Sequence, residues 1–132
     1  MKKLILQKDY YNKMINHVID CSPKEACGLL SGKDNKILSV WPIRNISKNP
    51  HRFHMDPKEQ IKTFLKIKLK RQRIIGVYHS HTARSGVPSR LDIEEAIYSG
   101  IVYLIWYFYD KWRCRAFLIT DGEYEEISLC FI

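Results

Sequence analysis

Residues 101–109 read Ile-Val-Tyr-Leu-Ile-Trp-Tyr-Phe-Tyr, a nearly continuous apolar run that limits the folds open to this chain. The run is far shorter than the ~20 residues of a membrane-spanning helix. Its length and its β-branched and aromatic content predict a strand covered on both faces. Such a strand belongs inside a sheet that other layers enclose. Asp110-Lys111 turns the run into a second strand over 112–120, and Asp121-Gly122 is a hairpin signal leading to a third over 123–131. The C-terminal part therefore predicts a three-stranded antiparallel meander.

Upstream, helical and strand patterns alternate. Tyr11, Met14, Ile15, Val18 and Ile19 recur at helical spacing behind a candidate cap, Asp9, and Ser22-Pro23 stops that helix. Strands are predicted over 26–30 and 36–43 around the turn Lys33-Asp34-Asn35, with a further short strand over 52–55. Asp56-Pro57-Lys58-Glu59 is a helix start, with a capping Asp, Pro at the first helical position and Glu three residues after the cap. That helix runs to about residue 72 and is predicted to bury Ile61, Phe64, Leu65 and Leu69. A strand follows over 74–79, then a loop over 82–88. The last helix, over 90–99, is capped by Ser89 and ended by Gly100. The fold class expected is α/β: one domain over 1–132, built on a mixed sheet with about three helices and the C-terminal meander.

With 132 residues, 45% hydrophobic and 27% charged, the composition is that of a globular domain that folds without disulfides or metal staples. Disordered, collagen-like and disulfide-dense classes are excluded. Met1-Lys2-Lys3 precedes only three apolar residues, too few for a secretory signal, so a cytoplasmic protein is expected. Cys21, Cys27, Cys114 and Cys130 form no C-x-x-C pair and read as packed thiols.

Charge is uneven. Residues 1–73 carry 17 basic and 6 acidic side chains, whereas residues 74–132 carry 5 and 8. The excess peaks at Lys66, Lys68, Lys70, Arg71 and Arg73. It reads as a solvated helix face, or as a docking surface for an acidic partner. No nucleic-acid-binding signature accompanies it, so nucleic acid is not an expected partner.

The chemistry concentrates between residues 79 and 92. His79-Ser80-His81 ends a strand, where residues two apart point to the same side. Seven residues later comes Ser89-Arg90-Leu91-Asp92, with Asp92 in the first turn of a helix, where a carboxylate is favoured. Two imidazoles and one carboxylate make a three-ligand zinc set, and three ligands plus water is the catalytic arrangement. The metal brings the pKa of its water toward ~7. Taken alone, His-x-His fits two surface histidines and Ser-x-x-Asp fits a helix cap; the joint spacing is far rarer than either. A hydrolytic site also needs a proton acceptor. Glu25, just ahead of the strand over 26–30, is the candidate. Glu59 is accounted for by capping, and Glu94 and Glu95 lie farther along the helix, facing solvent.

Glu25-Ala26-Cys27-Gly28-Leu29-Leu30 followed by His79-Ser80-His81-x7-Ser89-x2-Asp92 resembles the JAMM (MPN-plus, JAB-type) zinc metallopeptidases, in their small stand-alone prokaryotic form. The resemblance covers essentially the whole chain. It implies one Zn²⁺ per chain, bound by His79, His81 and Asp92. It implies that Glu25 acts as general base and then general acid, and that Ser89 stabilises the developing oxyanion. The implied reaction is hydrolysis of a peptide or isopeptide bond in a ubiquitin-like or sulfur-carrier protein. Two kinds of substrate stay open: conjugates of a ubiquitin-like protein, and a sulfur carrier whose C-terminal residues, including a newly attached cysteine, are trimmed. The alternative is a non-catalytic module of the same fold that binds a ubiquitin-like or acidic partner through the helix at 58–72. Oligomeric state and the natural metal are not fixed by these residues.

Overall fold

Seven strands and three helices are present among residues 3–96 and 100–132, which the computed structural model describes. In chain order they are β1 (Lys3–Leu6), α1 (Lys8–Cys21), β2 (Cys27–Lys33), β3 (Lys36–Ile43), α2 (Pro57–Leu69), β4 (Arg73–Ser80), α3 (Arg90–Glu95), β5 (Val102–Tyr109), β6 (Lys111–Thr120) and β7 (Glu123–Phe131). The sheet closes on itself in the order β1-β3-β2-β4-β5-β6-β7. β5, β6 and β7 form the expected antiparallel meander. β4 and β5 run parallel, as do β7 and β1, so the sheet is mixed. The seam between β1 and β3 is the weak one, with a single register pair, Ile5↔Lys36. Closure matters because it hides strand edges that would otherwise pair with other chains.

Alternation along the strands makes two cores. The larger gathers Leu4, Leu6, Leu30, Tyr78, Leu104 and Trp106 with Met14 and Val18 of α1. The smaller lies on the opposite face, where Cys27, Leu29 and Ile43 meet Met55 and Ile67 under α2. Ser80 and Tyr78 point to the first face, leaving Val77, His79 and His81 to the second. The period of two predicted for the two histidines is thus realised.

Several local expectations change. β1 carried no sequence signal beyond Leu4-Ile5-Leu6, and it forms because β7 lies beside it. Gln7, not Asp9, is the N-cap of α1; Asp9 sits inside the first turn, where the helix dipole favours a carboxylate. Residues 52–55 make only an isolated bridge, Asn45↔Met55, because a half-buried Asn45 side chain takes over backbone bonds of this loop. Asp56 caps α2 as expected, accepting from Lys58 N–H at 3.0 Å. Glu59 instead accepts from Arg44 N–H at 3.1 Å. β5 is buried on both faces only in its first half; Phe108 and Tyr109 are exposed. α3 ends at Glu95, since Ala96 has left the helical conformation, and the predicted extension over 97–99 lies outside the described residues.

The largest change concerns α2. Its buried residues are Thr63 and Ile67, and the four apolar side chains assigned to the core face outward. Ile61, Leu65 and Leu69 are 59%, 60% and 84% exposed, and Phe64 is 37% exposed. Helical spacing alone cannot say which of two stripes faces the sheet. Thr63 wins one inward place because its hydroxyl is satisfied within the helix, donating to Glu59 O at 2.8 Å.

Gly28 of β2 is held to its identity by Tyr78, whose ring would lie 2.3 Å from an added Cβ. Tyr78 is fully buried and its hydroxyl is 2.7 Å from His17 Nδ1, so the ring has no room to retreat. Gly28→Ala is expected to destabilise the fold by about 1–3 kcal/mol, the usual cost of overpacking. Urea denaturation checks this, and an unchanged midpoint would contradict the packing described.

Candidate active site

The two ends of the site meet through strand pairing. β2 lies antiparallel to β4 with Cys27 opposite His79, which sets Glu25 beside the end of β4. Ser80 locks that junction: its Oγ accepts from Ala26 N–H at 2.8 Å while its own N–H donates to Ala26 O at 3.0 Å. The serine between the histidines therefore faces away from them and fastens the residue next to Glu25. On the other side, Asn45 Nδ2 donates to Glu25 O at 2.9 Å and to Arg52 O at 3.0 Å. Glu25 is thus held from both flanks and is only 6% exposed.

Asp92 arrives by helix capping. Ser89 Oγ accepts from Asp92 N–H at 3.1 Å, and Asp92 Oδ2 accepts from Ser89 N–H at 2.8 Å, a complete capping box. This geometry aims the Asp92 carboxylate back at β4. Its Oδ1 lies 3.1 Å from His79 Nε2, and its Oδ2 lies 2.7 Å from His81 Nε2. One ligand atom each from His79, His81 and Asp92 falls within 4.8 Å of the others.

The donor set fits a divalent cation. His81 Nδ1 is 2.8 Å from the Ser85 carbonyl oxygen, which can only accept, so the proton sits on Nδ1. Neutral His81 then turns the Nε2 lone pair toward a carboxylate oxygen at 2.7 Å. Two acceptors at that distance need a cation between them, either a proton or a metal. His79 makes the same demand. Both its ring nitrogens are buried without a hydrogen-bond partner, because the Asp92 oxygen nearest Nε2 is out of line. Buried imidazole nitrogens without partners are costly, and a metal at Nε2 removes that cost for one of them. Phe53 stacks on His79, with ring centroids 4.7 Å apart and planes at 28°, and fixes its orientation.

Burial sorts the charges. It lowers the His79 pKa and keeps that ring neutral. It also lowers that of His81, but the Asp92 carboxylate and the Ser85 carbonyl outweigh burial and raise it overall. Burial opposes the Asp92 charge as well, yet the two imidazoles and Ser89 N–H hold its pKa well below the carboxylate range. Glu25 has no such partners. Its burial pushes its pKa up to about 7, against a smaller lowering by His81. Two carboxylates in one site thus have opposite fates, the division of labour an acid–base site requires.

A cavity of about 460 Å³ opens over these groups, lined by Glu25, His81, Ser89 and Asp92 together with Arg52 and Phe53. All five residues predicted for the site come together here, His79 lying behind the cavity wall. Cys27 is not a reacting group: burial raises its thiol to about 12. Glu95 differs from expectation. Although solvent-accessible, it reaches back to the cavity wall and pairs with Arg52 at 2.9 Å. Asn45, Arg52 and Phe53 were missed by sequence reasoning. Arg52 and Phe53 fell in the short strand predicted over 52–55, and nothing in the local pattern marked Asn45.

Comparison with known proteins gives the family of the chain. Residues 7–119 match the family of prokaryotic homologs of the JAB domain. The chain is 32% identical over 112 residues to a desampylase of Pyrococcus furiosus, covering 85% of this chain and 79% of the relative. It is 30% identical over 127 residues to a CysO-cysteine peptidase of Mycobacterium tuberculosis, covering 93% of this chain and 87% of the relative. A protein of Desulfitobacterium hafniense, solved in solution, superposes with a TM-score of 0.88 at 30% identity, covering 98% of this chain and 92% of that one. This chain belongs to the prokaryotic JAB-domain family. No helix among its described residues is long and apolar enough to cross a membrane.

The raised Glu25 pKa has a consequence for stability. The unfolded carboxyl ionises near 4.5 and the folded one near 7, so the folded state loses stability as pH rises through that window and regains none above it. Glu25→Gln removes this penalty. With chelator present, the variant is expected to melt a few degrees above the parent at pH 8 and close to it at pH 4.5. A variant that melts lower at pH 8 would contradict the burial assigned to Glu25.

Proposed function

We propose that this protein is a zinc-dependent hydrolase, acting as one catalytic unit over residues 1–132. It cleaves the peptide or isopeptide bond at the C-terminal tail of a ubiquitin-like or sulfur-carrier protein. The observation that carries this reading is the convergence of His79, His81 and Asp92 on one point, with Glu25 and Ser89 on the same cavity. The substrate class is supported by relatives named as a desampylase and a CysO-cysteine peptidase.

His79 and His81, through Nε2, and an Asp92 carboxylate oxygen would hold the metal. Two imidazoles and one carboxylate suit zinc, and three protein ligands leave a position for substrate and water. When bound, zinc supplies Lewis acidity, making water a nucleophile near neutral pH and polarising the scissile carbonyl.

The remaining steps belong to the chain. Glu25, with a pKa near 7, takes a proton from the attacking water as its oxygen bonds to the carbonyl carbon. The same carboxyl returns that proton to the nitrogen as the C–N bond breaks. Ser89 Oγ already accepts the cap bond from Asp92 N–H, so its own O–H is left to donate to the carbonyl oxygen as negative charge grows there. The capping box thus fixes the Ser89 donor where substrate enters. Phe53 and the Ser85 carbonyl keep the two imidazoles in register throughout.

Incubation with CysO carrying a C-terminal cysteine, followed by mass spectrometry, tests this. The parent is expected to release one residue, and chelator is expected to stop the release. Glu25→Gln is expected to lose at least about 100-fold in kcat while keeping the metal, the scale of general acid–base catalysis. Ser89→Ala is expected to lose about 100-fold, the scale of one oxyanion donor. Full activity in Glu25→Gln would sink the mechanism.

A further inference from the structure

Among the described residues, Arg52 is the one lysine or arginine that lines the cavity over the site. It is held there from both ends. Asn45 Nδ2 donates to Arg52 O at 3.0 Å and to Glu25 O at 2.9 Å, so one side chain fixes the backbone of both residues. At the other end Arg52 Nη2 donates to Glu95 Oε1 at 2.9 Å. Glu95 stands three residues after Asp92 on α3, on the same face of the helix. The guanidinium is thus tied at its base to Glu25 and at its tip to the helix that carries Asp92. The side chains of the pair are 50% and 44% exposed, so their attraction is screened and adds little to stability. The placement of Arg52 needs another reason.

We propose that Arg52 binds the free carboxylate of the released residue, and so suits the cleft to trimming a C-terminal residue rather than to cleaving an isopeptide conjugate. The inference rests on the hydrolase reading above and chooses between its two kinds of substrate. Covalent geometry carries it. In a terminal residue the carboxylate carbon lies about 2.5 Å from the nitrogen of the scissile bond, across N–Cα and Cα–C. A group that reads this carboxylate must share one cavity with the metal ligands, and Arg52 is the fixed cation found there. In an isopeptide the same nitrogen ends the four-carbon stem of a lysine, and no carboxylate is near it.

The charges of the cavity agree. Glu25, Asp92 and Glu95 also line it, so an entering carboxylate meets three carboxyl groups. Such like-charge encounters are disfavoured unless a cation answers them. The guanidinium carries five N–H donors in a planar fork that matches a carboxylate. Glu95 takes its bond from Nη2, and donors remain for a second carboxylate. Glu95 therefore positions the fork rather than filling it. Arg84 and Arg90 fit the role less well. Neither lines the cavity, and Arg90 pairs with Glu94 at 3.3 Å.

The probes are two substrates made by ligating a CysO thioester to cysteine or to cysteinamide. They differ only in whether the last carboxyl group is charged, and kcat/KM is measured for each. The parent is expected to prefer the acid about tenfold or more, the scale of a charge-assisted hydrogen bond. Arg52→Gln is expected to bring the acid-to-amide ratio within about twofold of one, and Arg52→Lys to keep an intermediate ratio. A general loss of activity or folding lowers both rates and leaves the ratio in place. Arg84→Gln, outside the cavity, is expected to keep the parent ratio. Calorimetric titration of the Glu25→Gln protein with both substrates is expected to show the same preference in Kd. A parent ratio near one would overturn the proposal, as would an Arg52→Gln protein that keeps the parent ratio. Collapse of the ratio in Arg84→Gln instead would assign the carboxylate to that side chain and overturn it too. If the zinc-loaded parent cleaves neither substrate, the hydrolase reading itself has failed and the proposal falls with it, a result distinct from equal cleavage of both.

Discussion

The antiparallel pairing of β2 with β4 is the contact on which the site depends. Ala26 and Ser80 are 54 residues apart in the chain, yet each bonds the other across this junction. The pairing puts Glu25 at the end of β4, where His79 leaves the sheet on the face away from the main core. A slip of one residue would send both imidazoles into that core and Ser80 into the cavity. Cys27, Gly28 and Leu29 guard against the slip. Gly28 can lie only where the Tyr78 ring crosses it, and its neighbours fill the smaller core. The geometry of the site is in this sense a by-product of strand register.

Once the register is set, electrostatics follow from burial. His79 is neutral because it is deep, and Asp92 is ionised because two imidazoles and a backbone N–H face it. Glu25 is deep without comparable partners, so its proton is held to about 7. No exotic residue is needed for these three behaviours. A domain of 132 residues can place them because one capping box and one strand junction do most of the orienting. Two relatives near 30% identity, whose names describe protein-cleaving activities, match this chain over most of its length.

Much of this was legible in the sequence because the signals were local. The His-x-His pair needs only the strand period, Ser89-x-x-Asp92 needs only helix capping, and the Asp121-Gly122 turn announces the last hairpin. What was not legible depends on contacts distant along the chain. β1 is four residues long and exists because β7 receives it. The outward stripe of α2 could not be told from an inward one, since periodicity gives a face but not its direction. Asn45, which ties Glu25 to the loop carrying Arg52 and Phe53, bears no pattern at all. The Arg52–Glu95 pair joins that loop to α3 across the cavity wall, and neither partner was distinguishable from an ordinary surface charge.

The chemistry of the site depends on whether His79, His81 and Asp92 hold a metal. Metal content of the purified protein, measured by inductively coupled plasma mass spectrometry beside that of His79→Ala, tests this most directly. The expected result is about one zinc per chain in the parent, as in three-ligand catalytic sites, and none in the variant. Absence of zinc from the parent even after reconstitution, or equal zinc in both proteins, would contradict it.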